Sequence, residues 1–315
     1  MKRYSTPILI TVYNREKHFK KCIESLKKCE GADKSPLYIA VDAPSKEIDV
    51  EPNRQIKEYA KALKGFKKIE IFERTENKGP RNNAETARQD IFSIYDNLIV
   101  SEDDNVFAPG FLSFINKGLD VYKDRHDIFS INGYSLPINI PKNYYNDIYI
   151  WKGFSGWGYG IWKDKYNAVS FEIADIRKFI KNCSNIKNAN KIAAHYVPNM
   201  INAVNKQQIH GDTFIVKHLI ENNMYSVFPS YSLVRNIGND GSGVNCGIDV
   251  VYKNQRVNNN FKLLPLKKDI KPNQKILDSI SKFYKGSFKN ILKRKIQIYL
   301  FLLLSKKHLS FLKRF

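Results

Sequence analysis

Cysteine is scarce in this 315-residue chain, with Cys22, Cys29, Cys183 and Cys246 as its four examples. Their spacing fits no zinc site and no dense disulfide framework, so free thiols in a reducing compartment are expected. Long hydrophobic runs are also missing. No segment reaches the roughly 18 apolar residues that a bilayer-crossing helix needs. Ile8-Leu9-Ile10, close behind Met1-Lys2-Arg3, is too short for a signal-peptide core, and a cytoplasmic protein is expected. Neither an internal repeat nor a low-complexity segment is found. Acid is absent from one whole region: Ser279 to Phe315 holds ten Lys or Arg and no Asp or Glu. Part of the net charge of +21 reflects heavy use of Lys throughout, and part is this positional excess. A basic balance suits anionic partners such as nucleotide sugars, anionic lipid or nucleic acid, and does not choose among them.

What remains is ordinary for a soluble globular protein, with 43% hydrophobic and 26% charged residues. The length allows one large domain or two small ones. The first 135 residues alternate. Pro7–Val12, Leu37–Val41, Lys68–Glu73, Asn97–Ser101 and Asp127–Asn132 read as strands. Arg15–Lys28, Arg54–Leu63, Asn82–Tyr95 and Phe111–Tyr122 read as helices. This pattern implies parallel β-α-β units, and right-handed crossovers gather the strands' carboxyl ends on one edge. The loops Thr11–Arg15, Asp42–Pro44, Asn77–Arg81 and Glu102–Asn105 should meet there.

The middle third is less regular. All three tryptophans lie between Trp151 and Trp162, interleaved with glycines, and serve either as core or as flat platforms for sugar rings. Ile209–Asn222 reads as a helix opened by His210-Gly211-Asp212, and Tyr225–Pro229 as a strand. Asn236–Gly243 is nearly all turn-formers, which predicts a mobile loop that closes over substrate or merely connects elements.

The strongest chemical signal is Asn97-Leu98-Ile99-Val100-Ser101-Glu102-Asp103-Asp104-Asn105. Its apolar residues suit a strand covered on both faces. Three acids at the strand's carboxyl end repel one another unless a cation lies among them. Hard oxygen ligands favour Mg²⁺ or Mn²⁺ shared with substrate phosphates, and α/β sheets collect ligands at such strand ends. The combination points to an enzyme handling a nucleoside diphosphate, with a solvated acidic loop as the plain alternative.

Five elements in order carry a family resemblance: Thr11-Val12-Tyr13-Asn14-Arg15, Asp42, Asn77-Lys78-Gly79, Glu102-Asp103-Asp104 with the following Asn105–Phe111, and Val234-Arg235-Asn236-Ile237-Gly238. Over roughly residues 5–250 the chain resembles GT-A-fold glycosyltransferases, in particular bacterial surface-polysaccharide and N-acetylglucosaminyltransferase-like enzymes. The resemblance implies an α/β, Rossmann-like fold with a mostly parallel central sheet. Residues 1–135 would form the nucleotide-sugar half, 136–265 the acceptor half and 266–315 a basic helical tail. Thr11, Tyr13, Arg15, Asp42, Asn77, Lys78, Arg81, Glu102 and Asp103 are then donor-site candidates, with Asp104 as ligand to Mn²⁺ or Mg²⁺. Arg15 and Arg81 are candidates for phosphate because guanidinium forks match its oxygens. Trp157, Trp162 and His210 are acceptor-site candidates.

The reaction implied by the resemblance moves a UDP-linked sugar onto a glycan or lipid-linked glycan acceptor, with inversion. Such a transfer needs a base for the acceptor hydroxyl. Asp212 is the candidate, with a helix N-cap as its alternative. The chain departs from related bacterial enzymes, which carry an aromatic followed by an acid where it has His210-Gly211-Asp212. His210 reads as a second metal ligand, a neighbour tuning Asp212, or a surface histidine.

From Lys282 onward, basic residues mix with Phe288, Ile291, Leu292, Ile298, Tyr299, Leu302, Leu303, Leu309 and Phe311. A basic helix with an apolar side is expected on an anionic membrane surface, here the inner face of the cell membrane, unless it docks on the catalytic body or a second subunit. Two rival functions are weighed. A sugar nucleotidyltransferase should carry a Gly-rich basic loop after its first strand, where this chain has Thr11–Arg15. A nucleic-acid binder should line a groove with charge and aromatics, whereas the densest basic run here is the hydrophobic tail.

Overall fold

The computed structural model describes residues 6–241, 252, 255, 257–261 and 265–312, with side chains described up to residue 303. Expectations at residues 1–5, Ser242, Gly243 and Cys246, and for the side chains of Leu309 and Phe311, lie outside the described residues.

The amino-terminal elements are β1 (Ile8–Val12), α1 (Glu16–Lys27), β2 (Pro36–Val41), α2 (Val50–Lys61), β3 (Lys68–Glu73), α3 (Gly79–Phe92), β4 (Asn97–Glu102), β5 (Asn105–Phe107), α4 (Phe111–Val121) and β6 (Ile128–Asn132). There follow β7 (Ile148–Trp151), β8 (Tyr159–Trp162), α5 (Lys163–Asn167), α6 (Ile173–Lys181), α7 (Cys183–Ile192), α8 (Tyr196–Lys206), α9 (Gly211–Glu221), β9 (Tyr225–Pro229) and β10 (Val234–Asn236). Two carboxy-terminal helices close the chain's described part, α10 (Gln274–Lys285) and α11 (Phe288–Leu312). Both α2 and α3 begin earlier than the apolar pattern predicts. Each carries a proline in its first turn, Pro52 and Pro80, where a missing amide costs no helical hydrogen bond.

Eight strands form one sheet in the order β3-β2-β1-β4-β8-β6-β9-β7. The β3-β2-β1-β4 block is parallel throughout, and β6 and β9 are parallel to each other. β8 is antiparallel to β4 and to β6, and β7 is antiparallel to β9. Six strands therefore share one direction, which matches the expected α/β class with a mostly parallel sheet. Buried apolar runs such as Leu37–Val41 and Leu98–Val100 explain the parallel block, whose strands are covered on both faces. α4 presses closely on β8: a Cβ on Gly160 would lie 2.4 Å from Ile115 Cγ2, so glycine is required there.

β8 lies between β4 and β6, so residues from both expected halves are joined in a single sheet. α10 packs into the body, with Ile276 and Ile280 fully buried and Tyr284 stacked on Trp151 at 6.0 Å. Cys22 and Cys29 are buried free thiols, and Cys183 is an exposed one.

Candidate active site

β1 lies between β2 and β4, so the chain order reverses at the β1/β4 boundary. Ligands of open α/β sheets bind outside the carboxyl ends of strands at such a switch point. Thr11 pairs in register with Glu102 there, which brings the start of α1 against the acids after β4. Arg15 Nη2 donates to Asp103 Oδ1 at 2.6 Å and to Asp104 Oδ2 at 2.8 Å. Burial works against the Arg15 charge, yet the two carboxylates overcome it and hold the guanidinium firmly protonated.

A second, smaller sheet fixes the other side of Asp104. β10 pairs antiparallel with β5, setting Asn236 opposite Asn105. Asn236 Nδ2 donates to Asp104 Oδ1 at 2.7 Å, and the Ile237 amide donates to the Asp104 carbonyl at 2.7 Å. Asn236 Oδ1 accepts from the Gly238 amide at 2.9 Å and from Asn239 Nδ2 at 3.2 Å. The first half of the Asn236–Gly243 segment is therefore hydrogen-bonded to the acid cluster. Turn-forming composition predicts irregular backbone but not the hydrogen bonds that anchor it.

A Cβ on Gly238 would stand 2.1 Å from Asp104 Oδ2 and 2.9 Å from Arg15 Nη1. Gly238→Ala is therefore expected to displace the Asp104 carboxylate, destabilise the protein by about 1–3 kcal/mol and weaken nucleotide binding. Urea denaturation and a nucleotide titration of the variant check both effects.

Glu102 and Asp212 open onto a cavity of about 250 Å³ lined by aromatic side chains that include Trp151, Trp157, Tyr196, Tyr252 and Tyr284. Among the described residues no hydrogen bond or ion pair reaches either carboxyl. Crowding by protein pushes Glu102 upward, and the charges of Asp104, Asp212 and Asp103 add to that, against Arg15. Desolvation raises Asp212 to about 6. The first turn of α9, which carries Asp212, works the other way because its amide dipoles favour a carboxylate. Solvent reaches both side chains through the cavity, which limits the desolvation. Asp103 is pushed to about 6 by burial, partly countered by Arg15.

Asp103 and Asp104 thus share one guanidinium, with Glu102 and Asp212 as further carboxyls close by, and the site is short of positive charge. Hard oxygen donors with this deficit fit a divalent cation shared with substrate phosphates, which needs only one or two protein carboxylates. The described residues contain no group of three His, Cys, Asp or Glu side chains arranged as a protein-only metal cage.

The remaining sequence candidates divide. Tyr13 Oη donates to Asp49 Oδ2 at 2.7 Å and accepts the Ser45 amide at 2.8 Å, tying the loop after β1 to the loop after β2. Asp42 is 3% exposed, and its Oδ1 accepts the amides of Ala43 at 3.0 Å and Lys78 at 2.9 Å. Asn77 Nδ2 donates to the Ala43 carbonyl at 2.6 Å. Asp42, Asn77 and Lys78 therefore clamp two neighbouring loops together. Arg81 stacks on the Phe171 ring at 4.6 Å and makes no ion pair with the acids.

Trp157 lines the cavity, edge-on to Tyr134 at 4.8 Å. Trp162 does not. It is paired with Asn97 at the opposite end of β4, with Lys165 Nζ 3.8 Å from its ring centroid, and its assignment to the acceptor site is corrected. β8 runs antiparallel to β4, so its course from Tyr159 to Trp162 leads away from the sheet end where the ligand loops lie. His210 is exposed, two residues before Asp212, and is not among the cavity's lining residues.

Several site residues carried no signal in the sequence. His195, Tyr196 and Tyr284 come from the start of α8 and from α10, far apart in the chain. Asn53 was also missed. Its Nδ2 donates to the carbonyls of Tyr13 and Asp42, both at 2.8 Å, and fixes the two loops beside the switch point. The glycine two residues after Asn236 was the visible hint of a close approach.

No protein-family model matches the chain, and no curated protein does. Among solved structures, the chain is similar to S. aureus TarS at 12% identity, with a TM-score of 0.38 over 53% of this chain and 30% of that one. A TarS 1-349 structure gives 12% identity, a TM-score of 0.36, and coverage of 53% and 50%. A mannosyltransferase from Pyrobaculum calidifontis, solved with GDP-Man and Mn²⁺, gives 12% identity and a TM-score of 0.38 over 69% of each chain. The match spans half or less of the two TarS chains, and overlaps of this size carry no functional conclusion for this one.

Proposed function

We propose that the chain is a glycosyltransferase that moves a sugar from a nucleoside diphosphate donor, UDP-linked, to a glycan acceptor, with inversion at the transferred carbon. One observation supports this most. An acid cluster at the sheet's switch point adjoins an aromatic-lined cavity, and an unpartnered carboxyl, Asp212, opens into that cavity.

In this reading the diphosphate lies near the Arg15–Asp103–Asp104 group. A divalent cation held by Asp104, with Glu102 and Asp103 beside it, would neutralise charge building on the departing diphosphate. Arg15 keeps the acid pair oriented, and Asn236 fixes the second Asp104 oxygen. The aromatic walls give a sugar ring flat apolar surface, with Trp157 and Tyr196 on the lining. Asp212 takes the proton of the acceptor hydroxyl as that oxygen attacks the sugar.

A base must be unprotonated, and Asp212 is raised to about 6. The acid limb of the pH–rate profile should therefore fall by about tenfold per pH unit below that value, with a plateau above it. A limb unchanged in an Asp212→Asn variant would show that another group titrates.

Transfer itself is the test of the reading. A panel of nucleotide sugars with Mn²⁺ is expected to yield nucleotide release from at least one UDP-sugar, slowly with water and faster with the right acceptor. Absence of release from every nucleotide sugar, with or without divalent cation, would count against it.

A further inference from the structure

On α11, Phe288, Leu292, Ile296, Tyr299, Leu300 and Leu303 are between 41% and 81% exposed. At 3.6 residues per turn these six fall within an arc of roughly 120°. They are one continuous apolar stripe, not scattered surface residues. The opposite side of the helix already has its partner. Ile298, Phe301 and Leu302 pack against the core, and Gln297 Nε2 donates to Asn202 Oδ1 of α8 at 2.8 Å. α11 is thus apolar on two sides, and the body covers one of them.

The flanks of the open stripe are basic. Lys295 borders one edge, Lys293 the other, and Lys289 lies near its amino-terminal end. From Ser279 to Phe315 no acid balances them. We propose that this face of α11 docks on an anionic lipid bilayer, with the stripe in the headgroup boundary and the lysines on acidic headgroups. The helix lies on the membrane and does not cross it, since no helix among the described residues is long and apolar enough to span one.

Charge complementarity selects this occupant. Two copies joined through the stripe would bring two acid-free basic surfaces together, which like-charge repulsion opposes. A nucleic acid would engage the lysines and leave six large apolar side chains in water. The contact also places the cleft. Arg294 Nη1 of α11 donates to the Tyr284 carbonyl at 2.7 Å, and Tyr284 lines the cavity that holds Asp212. Docking α11 therefore brings that cavity's wall close to the lipid surface.

The test uses the full chain and does not depend on catalysis. Co-sedimentation is measured with vesicles of phosphatidylcholine alone and with one quarter phosphatidylglycerol, at low and high salt. The protein is expected to bind the anionic vesicles at least tenfold better than the neutral ones, and to come off as salt rises. A Leu292→Glu/Leu303→Glu variant and a Lys289→Gln/Lys293→Gln/Lys295→Gln variant, both altered only at the surface, should each lose at least tenfold in binding. Circular dichroism melts that match the wild type confirm that each is folded. The proposal is overturned by equal binding to neutral vesicles, by no binding to anionic ones, or by binding that both variants retain. It is also overturned if the leucine variant turns a dimer into a monomer while vesicle binding is absent, which would assign the stripe to a second copy.

Discussion

Asp212→Asn is expected to lower turnover by about 10²- to 10⁴-fold while nucleotide affinity stays near the wild-type value. The substitution keeps size and polarity but removes the group that accepts a proton. Asp212 lies in the first turn of α9, opens into the cavity, and makes no hydrogen bond among the described residues, so little structural cost should accompany the change. Glu102 faces the same cavity and is the natural rival for the role. Glu102 ends β4 directly beside Asp103 and Asp104, where the proposed cation would engage it, whereas Asp212 stands apart on α9, which makes Glu102 the poorer candidate for the base. Steady-state kinetics of Asp212→Asn and Glu102→Gln side by side separate the two. A full loss in Glu102→Gln with near-normal turnover in Asp212→Asn would reverse the assignment.

Arg15→Met is expected to destabilise the fold by about 3 kcal/mol at neutral pH and to impair nucleotide binding as well. The guanidinium bridges two carboxylates whose side chains are 7% and 5% exposed, and without it both are buried and unmatched. The figure stands at the low end for a broken buried pair because the Arg15 side chain is itself 21% exposed. The effect should depend on pH with a definite sign. Burial already holds Asp103 at about 6 in the folded protein, and loss of Arg15 removes its main lowering influence and raises it further. A raised carboxyl binds protons more tightly in the folded state, so stability is lost as pH rises through the folded value. The gap between variant and wild type should therefore be widest near pH 7.5 and should shrink toward about pH 4, where Asp103 is protonated in both folded proteins. Urea denaturation at the two pH values measures it. A gap that is flat or grows at acid pH would mean that Arg15 acts through packing and not through charge.

The sequence made the amino-terminal half plain because its strands are short apolar runs separated by amphipathic helices. β3 and β9 coincide with their expected limits, and α1 differs by one residue at each end. The acids after β4 were visible for the same reason: carboxylates following a buried strand break the pattern. The middle third resisted because aromatics serve core and cavity equally well. Trp157 and Trp162 are five residues apart and look alike in sequence, yet Trp157 lies before β8 on the cavity wall while the antiparallel run of β8 carries Trp162 level with the start of β4. Asp42 showed a related limit. A buried acid at a strand end can hold a ligand or a neighbouring loop, and only its two amide contacts reveal the loop. Asn236 and Tyr284 join the site through long-range pairing, which no local pattern encodes.

Calorimetric titration of the protein with UDP, with and without Mn²⁺ and beside an Asp104→Ala variant, tests the donor site most directly. Binding that strengthens with Mn²⁺ and is lost in the variant is the predicted result. Absence of UDP binding under every condition, or binding that Asp104→Ala leaves intact, would contradict a nucleotide-sugar site at the β1/β4 switch point.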